Sequence, residues 1–476
     1  MTCESRYSQA NSVWRAARIH RVSPVTAAAA QLSSSPSTRS AVLITATETE
    51  PRRFGKQVVL GGVLDHLVER LGAAQVHVVL VGAEGAERPS VPYQRHVIAK
   101  PGSITQGTSV LRRTVLPALL GRETSSLQES VLCSNPLREQ LRDKLATIGA
   151  DLEIWDTVRM GQHAPTSGRC GARRVLYADD LFSVRYAAML AEADFGDAGG
   201  QFAAVLPGPA RRLLGNRHAQ RSLLRCEQRL VARSEERQPA WFDRTLLVSD
   251  AEAQVLRDRL QPRPEASRTT TLPPRLKTQD AVQTILTDRP VFTFIGGFGY
   301  APNRQGLEWF LRSCRDAVLS RIPGLIINVV GPGTEEGLPA AEEWGDAIRF
   351  HGWVDDLDAI LATSNALLSP LRSGSGIKIK VMEALSRGLP VVATSAGAQG
   401  IARSARPGGT GILVADEPEE LAAAMAVVCD PQTRSELARA ARRTWDTSYA
   451  PAVVESVYDE VFALPVPGSA LSETAV

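Results

Sequence analysis

The sequence predicts an α/β protein: two Rossmann-like, doubly wound parallel-sheet domains. Three observations predict it. The 476 residues exceed what one hydrophobic core ordinarily organises, so two domains are expected. Short β-rich runs alternate with amphipathic helical patterns in both halves, an order that places the strands in parallel sheets. Most runs of the C-terminal half end in Gly, Ser or Pro, as strands do when they deliver loops to a ligand-binding edge.

The elements follow in order. Residues 1–40 are rich in Arg, Ala and Ser with one acid, Glu4. In composition they resemble a transit peptide, and they are expected to form a disordered tail. "AVLITAT" (41–47) reads as the first strand, "VVLGGVLDHLVERLG" as a helix and "VHVVLVGAEG" as the next strand, which makes a βαβ unit. "ESVLCS" and "DLEIWDTV" read as strands around a helix, "NPLREQLRDKLATIG". "RRVLYADD" is a further strand ending on paired acids. After a charged helical stretch, "DRTLLVSDAEAQVLRDRL" reads as a strand, a Ser/Asp cap and a helix. The first domain is thus expected over 41–262. Residues 263–280, rich in Pro, Thr and charge, read as an interdomain linker. The second domain, 281–445, carries the strands "VFTFIGG", "LIINVVGPG", "IRFHGW", "ALLSP", "PVVATSAG" and "GILVAD". A final helix is expected over 446–465 and a tail over 466–476.

Composition excludes several function classes. A net charge of +3 carries no strong nucleic-acid footprint. The six cysteines are scattered, with no CxxC and no Cys/His cluster, which argues against a zinc site or a disulfide framework. A cytoplasmic protein is expected. No apolar run approaches the roughly 20 residues of a membrane span. The arginine-rich "GPARRLLGNRHAQRSLLR" (208–225) leaves two readings open: peripheral contact with anionic lipid at the inner face of the plasma membrane, or a solvated helix face.

One stretch carries the chemistry, "GSGIKIKVMEALSRGLPVVAT" (374–394). A small, basic loop opens a helix expected to begin near Ile377. Ile377, Val381, Ala384 and Leu385 fall on one face, and Gly388 and Pro390 end the helix. Backbone N–H groups at such a helix start favour an anion, and glycines let a phosphate approach the backbone. Lys378 adds a point charge, and Lys380 is the second candidate. Glu383 lies about 10 Å further along at 1.5 Å per residue, roughly the reach from a diphosphate to a ribose. Its carboxylate suits the vicinal hydroxyls of that ribose. The competing reading is an ordinary cap at Ser375 with an exposed Lys380–Glu383 pair.

With these residues in view, "SPLRSGSGIKIKVMEALSRGLPVVATSAGAQGI" resembles the donor-site signature of the group 1, glycogen-synthase-like glycosyltransferases of the GT-B fold. It is most similar to bacterial polysaccharide sugar transferases whose loop reads GxGxKxK…E. "FIGGFGYAPNRQGLEWFL", "IRFHGWVDDLDAILATSNALLSP" and "GILVADEPEELAAAM" continue the resemblance through the C-terminal half. The terminal "TWDTSYAPAVVESVYDEV" resembles the helix that returns to the first domain.

The resemblance implies retaining transfer of a hexosyl-type sugar from a nucleoside diphosphate sugar, with no bound cofactor and no metal. The acceptor would be a glycan, a lipid-linked molecule or a small molecule. It makes Glu383 the ribose-binding acid and matches Gly376 and Lys378 to the diphosphate loop, with Ser375 near the donor sugar and Ser373 and Lys380 as further donor-binding candidates. Gly297 falls in the glycine loop after the first C-terminal strand, and Gly352 to Val354 line the base. Two departures stand out. Ser375 occupies the place of the family's second glutamate, and the Arg and Lys that many members carry after that first strand are absent. Lys378 is therefore expected to supply the charge on the leaving diphosphate.

The first domain, the acceptor side in this family, offers fewer candidates. Gly55 and Lys56 match the glycine loop facing the donor phosphate, or form a solvated turn. Asp179 and Asp180 end a strand at the cleft; Asp180 is the candidate for activating an acceptor hydroxyl, or else both acids cap the next helix. Arg159, with Asp156, has a similar placement. His351 is expected to be structural, and His66 to sit on the surface of the first helix. Two other functions compete: a sugar-nucleotide epimerase, and a catalytically inactive nucleotide-binding subunit motivated by Ser375.

Overall fold

The structure, a computed structural model, describes residues 38–52, 55–82, 90–120, 124–166, 171–191, 217–281, 287–374, 376–401 and 408–465. Ser375, the expected tails through residue 37 and from 466, and residues 208–216 of the arginine-rich stretch lie outside them.

Two all-parallel sheets form. The first contains β1 (Ala41–Thr45), β2 (Val76–Gly82), β3 (Gln94–Ala99), β4 (Leu152–Asp156), β5 (Arg173–Asp179), β6 (Arg244–Leu247) and β7 (Thr269–Thr271), ordered β3-β2-β1-β4-β5-β6-β7. The second contains β8 (Val291–Ile295), β9 (Ile326–Val330), β10 (Ile348–Gly352), β11 (Ala366–Ser369), β12 (Val391–Ala393) and β13 (Ile412–Val414), ordered β10-β9-β8-β11-β12-β13. Every residue of β1 is buried, because helices cover both faces of a parallel sheet. Each order reverses direction once, between β1 and β4 and between β8 and β11. The carboxyl ends of strands at such switch points are where α/β sheets take ligands.

All six strands expected in the second domain form, and three sequence expectations are corrected. "ESVLCS" is not a strand: Leu127–Val131 is a short helix, because Ser126 and Glu129 close a capping box at its start. The polar edge strand β3 carries no apolar alternation and went unread. The linker is structured in its first half, since β7 pairs with β6 through Thr269–Thr271 and the Leu272 N–H donates to the Leu247 carbonyl at 2.7 Å. His66 is fully buried, not on the surface. The terminal helix Pro451–Phe462 covers that side of the helix Gly55–Leu71, and His66 Nε2 meets Asp459 Oδ1 at 2.8 Å.

That terminal helix belongs to the first domain's core. Val454, Tyr458, Val461 and Phe462 pack with Leu60, Leu64 and Leu43, and Tyr458 Oη donates to the Pro273 carbonyl at 2.9 Å. The preceding helix, Pro431–Ser448, keeps Trp445 in the second domain. Ile377 and Ile379 touch the cores of both domains, so the suspected donor loop sits where the two halves meet.

Candidate active site

After β11 the helix starts later than the sequence pattern predicts. Gly376 adopts φ +64°, a left-handed backbone that favours glycine, and Lys378 is the N-cap of a helix running Ile379–Ser386. Ser373, Gly376 and Lys378 are buried. Lys378 Nζ donates to the Gly376 carbonyl at 3.3 Å. Burial pulls its pKa down to about 8 against the opposing charges of Glu252 and Asp180. Lys380 donates to Asn303 Oδ1 at 2.9 Å and lies 4.6 Å over the Phe294 ring. Burial, with Lys378 adding to it, brings Lys380 to about 7.

Asn303 ties this loop to the glycine loop after β8, its Nδ2 donating to the Gly297 carbonyl at 3.0 Å. A side chain on Gly331 would stand 2.7–2.9 Å from the Gly296–Gly297 backbone, so the loops after β8 and β9 are held in contact. Gly352 has φ +65°, and its carbonyl accepts from Gly331 N at 2.8 Å. That places Gly352 and the half-buried Val354 beside the same loop. Glu383 lies further along the same helix. Burial pushes its carboxyl up, Arg387 opposes this and Asp358 adds to it. No described residue donates a hydrogen bond to that carboxylate.

Across the cleft, Gly55 begins the first helix, and a side chain there would touch Ile379 Cγ1 at 3.6 Å. Lys56 Nζ bridges Asp156 at 2.6 Å and Asp179 at 2.9 Å. Burial lowers the Lys56 pKa, yet the two acids outweigh it and leave it raised. Thr45 Oγ1 donates to Asp156 at 2.7 Å. Asp179 has φ +68° and the β-branched Thr157 φ +62°. Strained backbone of this kind, at the ends of β5 and β4, is typical of functional sites.

Asp180 is held by Arg185, with Nε to Oδ2 at 3.0 Å. The solvated-turn reading of Lys56 therefore does not hold, and Asp180 is an ion-paired acid rather than a free one. Arg159 stands apart from the acids, its guanidinium 5.5 Å over the Phe182 ring and its Nε 3.4 Å from Thr157 Oγ1.

Two residues escaped the sequence reading. Glu252 is buried in the first domain, yet its Oε1 accepts from Gly376 N at 2.8 Å while Oε2 accepts from Leu181 N at 2.8 Å. Arg185 is the other. Only the S-x-x-E spacing from Ser249 hinted at Glu252, and that spacing points to a helix cap. A His66–Glu69–Glu455 group could also hold a cation, but Arg275 bridges Glu69 and Glu455 at 2.7 Å each. Among the described residues no helix is long and apolar enough to cross a membrane.

Comparison with known proteins bears on the family and the fold. Residues 289–430 match the family model described as glycosyl transferases group 1. A 44.6 kDa protein of the cps region of Klebsiella pneumoniae is 30% identical over 114 residues, covering 22% of this chain and 29% of that relative. Sucrose-phosphate synthase from Thermosynechococcus elongatus superposes with a TM-score of 0.58 at 16% identity, covering 89% of this chain and 99% of that one. WaaG, a glycosyltransferase involved in lipopolysaccharide biosynthesis, gives 0.54 at 15% identity, covering 88% and 99%. Anabaena HepE in complex with UDP gives 0.57 at 13% identity, covering 89% and 99%. These structural likenesses are likenesses of fold. Through residues 289–430 the chain carries a domain of the group 1 glycosyltransferases, set in the two-domain GT-B fold.

Proposed function

We propose that the protein transfers a sugar, with retention, from a nucleoside diphosphate sugar to an acceptor hydroxyl. The observation that carries this is the meeting of three features at one cleft: the loop Ser373–Lys378, a helix N-terminus, and a buried Lys378 beside a half-buried Lys380, both with pKa values lowered by burial. Buried cations at a helix start are costly until an anion arrives. The diphosphate fits there, the ribose at Glu383 and the base beside Gly352–Val354.

In this reading Lys378 and the loop amides stabilise charge as it develops on the leaving diphosphate. Lys380 and Asn303 hold the glycine loop at Gly297, and Gly55 leaves room for the donor phosphates. The reaction needs no metal in this scheme, because lysine and backbone dipoles supply the charge. Asp179 and Asp180 face the acceptor side, with Arg159 at its margin. Both acids are ion-paired, so they suit orienting an acceptor hydroxyl better than free general-base work.

Polysaccharide assembly is the proposed setting, supported by the cps-region relative. HepE has been solved with UDP-glucose, which makes UDP the first nucleotide to try. The test is a thermal shift of wild type and Glu383→Ala against UDP, GDP, TDP and ADP. A nucleotide at about 100 times its Kd adds roughly 2.7 kcal/mol of stability. Stabilisation by one of the four, lost in the variant, is expected. No shift with any of them overturns the assignment.

A lipid-linked acceptor at the membrane surface is favoured by one further observation. The helical segment from Ser103 exposes Ile104 (85%), Leu111 (48%), Val115 (40%) and Leu120 (66%). Lys100 and the exposed Arg112 flank them, with no acid between residues 100 and 120. An apolar face with basic flanks suits an anionic lipid interface at the cytoplasmic side of a membrane. Ile104→Asp is expected to release the protein from anionic vesicles in a flotation assay, and unchanged flotation would remove this reading.

A further inference from the structure

We propose that Glu252 occupies the diphosphate's seat in the nucleotide-free cleft, where its carboxylate takes the Gly376 amide, and that the donor must displace it. The inference rests on the donor site assigned above and deepens it. Glu252 belongs to the helix Asp250–Leu260 of the first domain, whereas Gly376 lies in the donor loop of the second. Its two oxygens accept from Gly376 N and Leu181 N, both at 2.8 Å, so one side chain fastens the donor loop to the end of β5. An anionic oxygen at a loop amide, with Lys378 beside it, is the chemistry of a phosphate oxygen at the same place.

The local sequence makes this placement notable. Ser249-Asp250-Ala251-Glu252 has the S-x-x-E spacing of a capping box, in which the glutamate turns back to its own helix start. Here that box is not made. Ser249 is the N-cap with no side-chain cap bond, and its buried hydroxyl lacks a partner. Glu252 has thus left a local capping arrangement for a contact across the cleft. A short rotation back would release Gly376 and cap the helix, so the side chain has two defined seats. Burial, and then Asp180, push the Glu252 carboxyl up to about 7, which makes its hold on the amide easy to release. The groups facing it are Asp180, Lys378 and, behind Asp180, Arg185.

The consequence separates Glu252 from a merely structural residue. Replacing a structural tether weakens ligand binding, whereas removing a competitor strengthens it. In Glu252→Gln the charge is gone, and the amide cannot accept from Gly376 and Leu181 together. Calorimetric titration of wild type, Glu252→Gln and Glu252→Asp with UDP, GDP, TDP, ADP and inorganic pyrophosphate tests this, after each variant's melting curve confirms that it folds.

Glu252→Gln is expected to bind the diphosphates about tenfold more tightly, the scale of one charge-assisted hydrogen bond. The matching nucleoside without phosphate should be unaffected. Hydrogen exchange of the unliganded variant should be faster at 376–379. Equal or weaker diphosphate binding, or a change that extends to the bare nucleoside, overturns the proposal while leaving the donor site standing. Absence of binding by wild type to all five probes overturns the donor site, and this inference with it.

Discussion

The two faces of the cleft hold their buried charge in opposite ways. On the second domain's side, Lys378 donates to the Gly376 carbonyl and Lys380 to Asn303 Oδ1, and burial has lowered both pKa values. On the first domain's side, Asp156 and Asp179 share Lys56, while Asp180 has Arg185. One face keeps cations that burial disfavours; the other pairs Asp156, Asp179 and Asp180 with its own cations and leaves Glu252 to reach across. A site that awaits an anion should look like the first. A site that must hold an uncharged hydroxyl in a fixed geometry should look like the second. On the proposed function, the contrast separates a half that binds charge from a half that orients, and each prediction below strikes at one side of it.

The largest effect is expected on the cationic side. Lys378→Ala removes a charge that matters most as the diphosphate leaves. Donor consumption, read as nucleoside diphosphate release, should fall about 10²- to 10³-fold, the usual cost of one electrostatic stabiliser. A fall of less than tenfold would mean that the helix start and Lys380 carry the charge, and the contrast would lose its sharpest member.

On the paired side the expected effect is on stability. Lys56→Met leaves two acids buried without their cation, which costs about 3 kcal/mol in urea unfolding. Adding Asp179→Asn should recover part of that loss, because the two changes share one ion-pair network. If Lys56→Met unfolds at the wild-type urea midpoint, the acids are not compensated by Lys56 and the second half of the comparison fails.

How much of this was legible in sequence follows the same division. The donor side is nearly one contiguous stretch, 373–386, so its glycines, lysines and glutamate could be read together from helix periodicity and the chemistry of a helix start. Even there the helix starts two residues later than its periodicity suggests, because Gly376 takes a positive φ and Lys378 is the extended N-cap. The acceptor side is assembled from Thr45, Lys56, Asp156, Asp179, Arg185 and Glu252, which only the sheet order brings together. No local pattern marks Lys56 as the partner of Asp156. Glu252 was hidden by a spacing that fits a cap. His66 looked like a helix-surface residue because its partner Asp459 lies 393 positions away.

The smallest predicted effect belongs to Lys380 and bears directly on whether the cationic side is held at a cost. Its folded pKa, about 7, lies below the usual lysine value near 10.4. Between those pH values the unfolded chain binds more protons than the folded one, so stability rises with pH through that window. Below about pH 7 the folded protein must hold Lys380 charged, and there the penalty is complete. Lys380→Met keeps the length of the side chain and its contact with Phe294, and it removes the charge. The variant should therefore melt a few degrees higher at pH 6.5, with a margin that narrows as pH is raised toward 10. It should also lose affinity for the diphosphate. A melting temperature below wild type at every pH would mean that the Asn303 bond and the cation over Phe294 repay the burial. Lys380 would then be a structural residue of the glycine loop, and Lys378 alone would define the cationic face.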